Sequence, residues 1–336
     1  LTELFTYFPP LPARKYYPRP AEPVAWNASL STMWARRNFP NLGDFFQAAR
    51  RMGFAHIELN HQIDSAMLAG IEMDHYVFSS VHEPCPADVS LDTLKARDWL
   101  ISAVDEENRR QGVAAVKRSI DLAQELGAGT LVVHCGQIQA DGSLEKELRS
   151  LFEQGLSDSA EYQEKKERFQ QLRASLVAPC LDAVQKSLRE LLEYAGRFGL
   201  RLGLENRYHI LDLPALDEME PLLQLADPDR LGFIYDVGHA QALDRLGFFP
   251  HKEWLVRYAS RIFGTHLHDV IGVNDHHAPG LGEIDYATIA AYIPQGAFRT
   301  LELHPRNTPE QVHASLRFLA ARGCVYPLEN PDQEIS

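Results

Sequence analysis

The chain repeats one pattern along its length: a short apolar run ending in His, Asp, Glu or Asn, then a longer stretch with helical periodicity. A helix after each strand brings the next strand back in the same direction, so the pattern requires a parallel sheet. Eight runs fit: Val24–Leu30, Ala55–Asn60, Val77–Glu83, Thr130–Cys135, Arg201–Asn206, Leu231–Asp236, Arg261–His268 and Thr300–His304. Apolar residues recur three and four positions apart in Leu42–Arg51, Asn108–Leu126, Ser175–Phe198, Leu216–Ala226 and Pro309–Ala321. Gly53, Gly127, Gly199 and Gly323 stand where those helices need a left-handed residue to end. Eight strand–helix units, with no GxGxxG after the first strand, predict an α/β fold of the closed (β/α)8 TIM barrel type. The expected organisation is a single barrel domain over 22–325, an N-terminal extension over 1–21 and a C-terminal tail over 326–336. Pro84–Glu107, after the third strand, and Ile138–Gln171, after the fourth, are longer than a minimal barrel needs. Both fall on the side where βα loops form substrate walls.

The strands of such a barrel converge at their C-terminal ends, so residues far apart in sequence point into one cavity. At or just beyond those ends stand His82, His134, Glu205, Asp236, His239, His266, His268, Asp275, His277 and Glu302. Any one of them has an ordinary structural explanation. Three carboxylates closing apolar strands do not: Leu204-Glu205, Ile234-Tyr235-Asp236 and Leu301-Glu302. Burying three like charges at one mouth is strongly unfavourable unless a cation compensates, and a divalent ion would. Imidazole mixed with carboxylate suits zinc, manganese, iron or cobalt better than magnesium. His266 and His268, two apart on a strand, face the same side, and only one of them need bind metal. Alternation places His276 outward. Arg207 is placed either to meet a substrate oxyanion or to neutralise the acidic mouth. Trp26, Trp34 and Tyr235 are candidates for a sugar-binding wall or for core packing. Gly280-Leu281-Gly282 reads as a tight turn.

The formal net charge of -13 disfavours phosphate backbones as partners. No apolar run approaches the roughly 18 residues a membrane helix needs. Prolines 9, 10, 12, 18 and 20 interrupt the N-terminal segment where a signal peptide would carry its apolar core, so a cytoplasmic protein is expected. Cys85, Cys135, Cys180 and Cys324 form no CxxC pair and read as free thiols.

Taken in order, Val81-His82-Glu83-Pro84, Val133-His134, Leu204-Glu205-Asn206, Asp236-Val237-Gly238-His239, His266-Leu267-His268-Asp269, Asp275-His276-His277, Gly280-Leu281-Gly282-Glu283-Ile284-Asp285 and Leu301-Glu302 resemble the xylose-isomerase-like barrel superfamily. That superfamily includes sugar isomerases and epimerases and also endonuclease IV. The isomerase branch implies one metal on Glu205, Asp236, His266 and Glu302, with the two glutamates exchanging a substrate proton through an enediolate and His239 binding a substrate hydroxyl. The His-x-x-Asp spacing within the resemblance assigns the metal to His266, leaving His268 to support a ligand or contact substrate. The endonuclease IV branch implies up to three ions: one on His82, His134 and Glu205, one on Glu205, Asp236, His266 and Glu302, and one on His239, Asp275 and His277. The expected function is a divalent-metal-dependent isomerase or epimerase of a sugar, sugar phosphate, sugar acid or cyclitol. The alternative is a multinuclear-metal phosphoesterase. The expected partner is a small carbohydrate rather than nucleic acid or membrane, with homo-oligomer formation left open.

Overall fold

A computed structural model describes residues 24–328. Its strands are β1 (Trp26–Ser31), β2 (Phe54–Leu59), β3 (Phe78–His82), β4 (Thr130–Val133), β5 (Arg201–Glu205), β6 (Leu231–Asp236), β7 (Ile262–Leu267), β8 (Asp269–Ile271), β9 (Asn274–His277) and β10 (Phe298–Leu301). Between them run α1 (Leu42–Met52), α2 (Ser65–Leu68), α3 (Leu91–Ala96), α4 (Glu106–Glu125), α5 (Ser143–Glu153), α6 (Ala160–Gly196), α7 (Leu216–Leu223), α8 (Val237–Arg245), α9 (His251–Tyr258), α10 (Tyr286–Ala290) and α11 (Pro309–Ala320). Eight strands close a barrel in the order β1-β10-β7-β6-β5-β4-β3-β2, and every neighbouring pair is parallel. The eight expected runs are those eight strands, each displaced by at most a few residues. The hairpin β8–β9 was not expected; it is antiparallel and stands apart from the barrel.

Residues chosen for two different periodicities explain this assembly. β4, β5 and β6 are buried on both faces, as continuous apolar strands between a barrel interior and a helical shell must be. α1 buries Leu42, Phe45, Phe46 and Ala49, one stripe at helical spacing, and Asn41 caps its first turn by accepting from the Asp44 amide. Gly53 ends it at φ +97°, and a Cβ there would lie 2.6 Å from the Val24 carbonyl oxygen, so both conformation and space require glycine. Gly127, Gly199 and Gly323 also have positive φ.

The long segment after β4 is helical: α5 packs on the first part of α6, which runs unbroken for 37 residues into the outer shell. Glu145 of α5 is buried and holds that excursion to the β5–α7 loop, accepting from Arg149 (2.7 Å) and from the Ile210 amide (3.1 Å), with His209 Nδ1 at 2.9 Å. Trp34 is buried, its indole N–H donating to the Asn307 carbonyl (2.8 Å), and Tyr235 is buried against Phe233. Both are core residues rather than pocket walls. The four cysteines are free and buried. Residues 1–21 and most of 326–336 lie outside the described residues. No helix among the described residues is long and apolar enough to cross a membrane.

Candidate metal centre

Parallel registry sets the level of each side chain at the C-terminal mouth. Asp236 of β6 pairs with His266 of β7, and His266 pairs with Thr300 of β10, so their side chains enter the barrel together. Glu205 ends β5 and Glu302 follows β10 directly. The carboxylates of Glu205, Asp236 and Glu302 converge on one imidazole nitrogen, His266 Nδ1, at 2.6, 3.6 and 3.1 Å. On the opposite side, His82 Nε2 and His134 Nε2 lie 2.5 Å apart, and Glu205 Oε2 is 3.8 and 3.3 Å from them. His82, Glu205, His266 and Glu302 form one compact group of ligand atoms.

A second group, Asp236, His239, His268 and His276, lies beside the first and shares its edge through Asp236. Asp236 Oδ1 caps α8 by accepting from the His239 amide (2.7 Å), and this places His239 over the mouth. The Asn206 amide holds the backbone of Asp236 from both sides, at 2.9 and 2.8 Å. The Asn206 carbonyl lies 3.0 Å from His239 Nδ1. A carbonyl only accepts, so Nδ1 carries the proton and the Nε2 lone pair is free, 3.6 Å from Asp275 Oδ2. His268 is different. Its Nδ1 accepts from the His276 amide (2.9 Å) and its Nε2–H donates to both oxygens of Asp236 (3.0 Å each). Both ring nitrogens of His268 are thus engaged within the protein.

His276 departs from expectation. Strand alternation placed it outward, but its φ is +57°, which interrupts the alternation of β9 and turns the ring inward. The ring stacks on His268 with centroids 4.2 Å apart, and its Nδ1 lies 2.9 Å from Asp275 Oδ1. His277 belongs to neither ligand group; its pKa is lowered by partial burial and then by nearby Arg306. Arg207 is 11% exposed, paired with Glu205, and 3.7 Å from Asp212, within the acidic mouth. It also lines a narrow crevice with Glu83, His134 and Asp212.

Glu58 of β2 was missed. It is fully buried, accepts from Ser80 Oγ (2.7 Å), and lies 3.1 Å from His266 Nε2 and 3.3 Å from Thr300 Oγ1. The signal that singled out Glu205 was present here too, since Ile57-Glu58-Leu59 places an acid inside an apolar strand. His61 was also passed over; its ring is 5.5 Å from that of His82, and burial, then His82, pushes its pKa down to about 3.

Burial alone would drive these carboxylates neutral, yet three stay ionised. Arg207 and then His82 hold Glu205 well below the usual range, His266 does the same for Glu302, and His239 and His268 for Asp236. Burial opposes charge on His266, but Glu58 and Glu302 raise its pKa well above the ordinary value. Burial raises Glu83, which accepts from the His134 amide, to about 7. Glu58 Oε1, His82 Nδ1, His134 Nδ1 and Glu302 Oε1 are buried without a hydrogen-bond partner. Three buried carboxylates held ionised, imidazole nitrogens among them and orphaned polar atoms are a donor set that fits a divalent ion.

The chain matches the family described as xylose isomerase-like TIM barrel over residues 46–322. Inosose dehydratase of Geobacillus kaustophilus is 34% identical over 92 residues, which are 26% of this chain and 29% of that protein. A solved D-tagatose 3-epimerase-like protein superposes with a TM-score of 0.60 at 19% identity, covering 92% of this chain and 99% of that one. A structure of IOLI protein with a bound zinc atom superposes with a TM-score of 0.60 at 15% identity, covering 88% and 97%. Two of the curated relatives are spanned over only 54% and 29% of their own lengths. The structural likenesses establish the shared fold.

Proposed function

This chain belongs to the xylose isomerase-like TIM barrel family, and on that premise we propose that it is a divalent-metal-dependent isomerase or epimerase of a sugar, sugar phosphate, sugar acid or cyclitol. The observation that carries this reading is the convergence of Glu205 and Glu302 on His266 Nδ1, at 2.6 and 3.1 Å. Glu205, Asp236, His266 and Glu302 would hold the metal, with zinc, manganese, iron and cobalt all suited to the donor set. When bound, such an ion polarises the carbonyl and hydroxyl oxygens of the substrate.

The chain's own residues supply the proton transfer. Glu205 and Glu302 are held as carboxylates, the form a general base requires. One takes the proton from the carbon beside the substrate carbonyl. The C–H electron pair becomes the C=C bond of an enediolate, and the glutamate becomes a carboxylic acid. If the other glutamate then delivers a proton taken from solvent to the opposite face, while the first passes its proton to solvent, that carbon is epimerised; if the first returns its proton to the neighbouring carbon, the sugar is isomerised. His239, with its Nε2 lone pair free, accepts a hydrogen bond from a substrate hydroxyl. Arg207 lowers the cost of keeping Glu205 charged in a buried site. The names of the D-tagatose 3-epimerase-like structure and of inosose dehydratase support a substrate with a carbonyl beside a hydroxylated carbon.

In deuterated water the enzyme should wash deuterium into the carbon beside the carbonyl of a ketose, sugar acid or inosose, and Glu302→Gln should slow that exchange at least ~10²-fold. The approach of His82 Nε2 and His134 Nε2 favours a second reading, a phosphoesterase with more than one metal. Cleavage of phosphodiesters or of an abasic-site duplex, with no carbon exchange across a broad sugar panel, would establish that reading in place of the first.

A further inference from the structure

We propose that Glu58 is a positioning residue that sets His266 to offer Nδ1, not Nε2, to the metal; the inference rests on the metal-centre reading above. Glu58 is fully buried on β2, across the barrel from β7. Its Oε2 accepts from Ser80 Oγ at 2.7 Å, and Ser80 is its registry partner on β3. The same oxygen lies 3.3 Å from Thr300 Oγ1, and Thr300 is the registry partner of His266 on β10. Two hydroxyls, one on β3 beside β2 and one on β10 beside β7, therefore hold one carboxylate oxygen in place, and that oxygen is 3.1 Å from His266 Nε2.

A carboxylate held in this way accepts and does not donate, so Nε2 of His266 carries a proton. The nitrogen left to coordinate is Nδ1, which faces Glu205, Asp236 and Glu302. A ligating imidazole anchored through its other N–H by a buried carboxylate has its ring plane set before the ion arrives, and it keeps that N–H when Nδ1 gives up its proton to bind. Glu58 Oε1 has no hydrogen-bond partner and lies 4.0 Å from His82 Nδ1, which also has none. The same carboxylate thus stands behind a second histidine of the ligand group.

The probe is zinc alone. Protein labelled with 15N in its histidines is titrated with zinc, and long-range 1H–15N spectra identify which His266 nitrogen keeps its proton, the signals being assigned by their loss in His266→Gln. Zinc affinity is measured in parallel by competition with a chromophoric chelator for wild type, Glu58→Gln and Glu58→Asp. We expect Nε2–H retained and Nδ1 metal-bound in wild type. Both variants should bind zinc about 10- to 100-fold more weakly, since glutamine lacks the charge and aspartate, though charged, falls short of the imidazole. If wild type binds zinc through His266 Nε2, if Glu58→Gln binds like wild type, or if Glu58→Asp restores affinity, the proposal is overturned while the metal centre stands. If wild type binds no zinc, the metal centre falls and the proposal with it. Should neither variant fold, the wild-type spectrum decides.

Discussion

Gly238 has no side chain because the ring of His268 occupies the place where one would be; a Cβ there would collide with the imidazole. The motif Asp236-Val237-Gly238-His239 thus seats three histidines of the candidate site: it carries His239, makes room for His268, and through His268 holds Asp236, whose neighbour in space is His266. Gly238→Ala should cost about 1–3 kcal/mol by overpacking, read from urea unfolding of metal-free protein, and should weaken zinc binding. Unchanged stability and affinity would mean that His268 has room to move. The pair His276 and His277 makes a sharper contrast. Reading the strand by alternation selects His277, whereas the left-handed backbone at His276 brings that ring inward. His277→Ala should leave metal content and affinity as in wild type, and His276→Ala should lower them; equilibrium dialysis against zinc would reveal the reverse if the alternation were the better guide.

Helices and loops decide how firmly those side chains are held. α5 is an addition to the minimal barrel, and one carboxylate ties it to the β5–α7 loop at the mouth. Burial raises the pKa of Glu145, but His209 and Arg149 outweigh burial and hold it below 4.5. A depressed folded-state pKa contributes stability that is present above the unfolded value and lost as pH falls through the folded one. The stability of wild type should therefore drop more steeply on acidification below pH ~4.5 than that of Glu145→Gln, followed as the urea midpoint against pH. Parallel acid limbs would detach Glu145 from the stability of this region. The excursion was legible in the sequence as a charge-rich stretch of helical character between β4 and β5. Its attachment was not, because a buried Glu on a charged helix has the same spacing as an exposed one.

The barrel as a molecule concentrates buried carboxylates at one end, and an ion that binds only the folded state must stabilise it. Saturation at 100 times the dissociation constant adds about 2.7 kcal/mol. Chelation should lower the melting temperature and readdition of manganese or zinc restore it, monitored by scanning calorimetry; a melting temperature indifferent to both would leave the acidic mouth without its compensating cation. The sequence by itself pointed to the architecture, since eight short apolar runs alternating with helical periodicity and ended by glycines, with no GxGxxG after the first strand, favour a parallel sheet closed on itself. It also determined which kinds of atom face the mouth, because His, Asp and Glu at the ends of apolar strands have nowhere else to go. Only the tertiary structure decided which nitrogen of each imidazole is free, that His276 rather than His277 turns inward, and that Glu58 stands behind His266. Those choices depend on hydrogen bonds between strands more than 200 residues apart, such as that from His266 to Glu58, and on one backbone angle at His276. Neither leaves a period in the sequence.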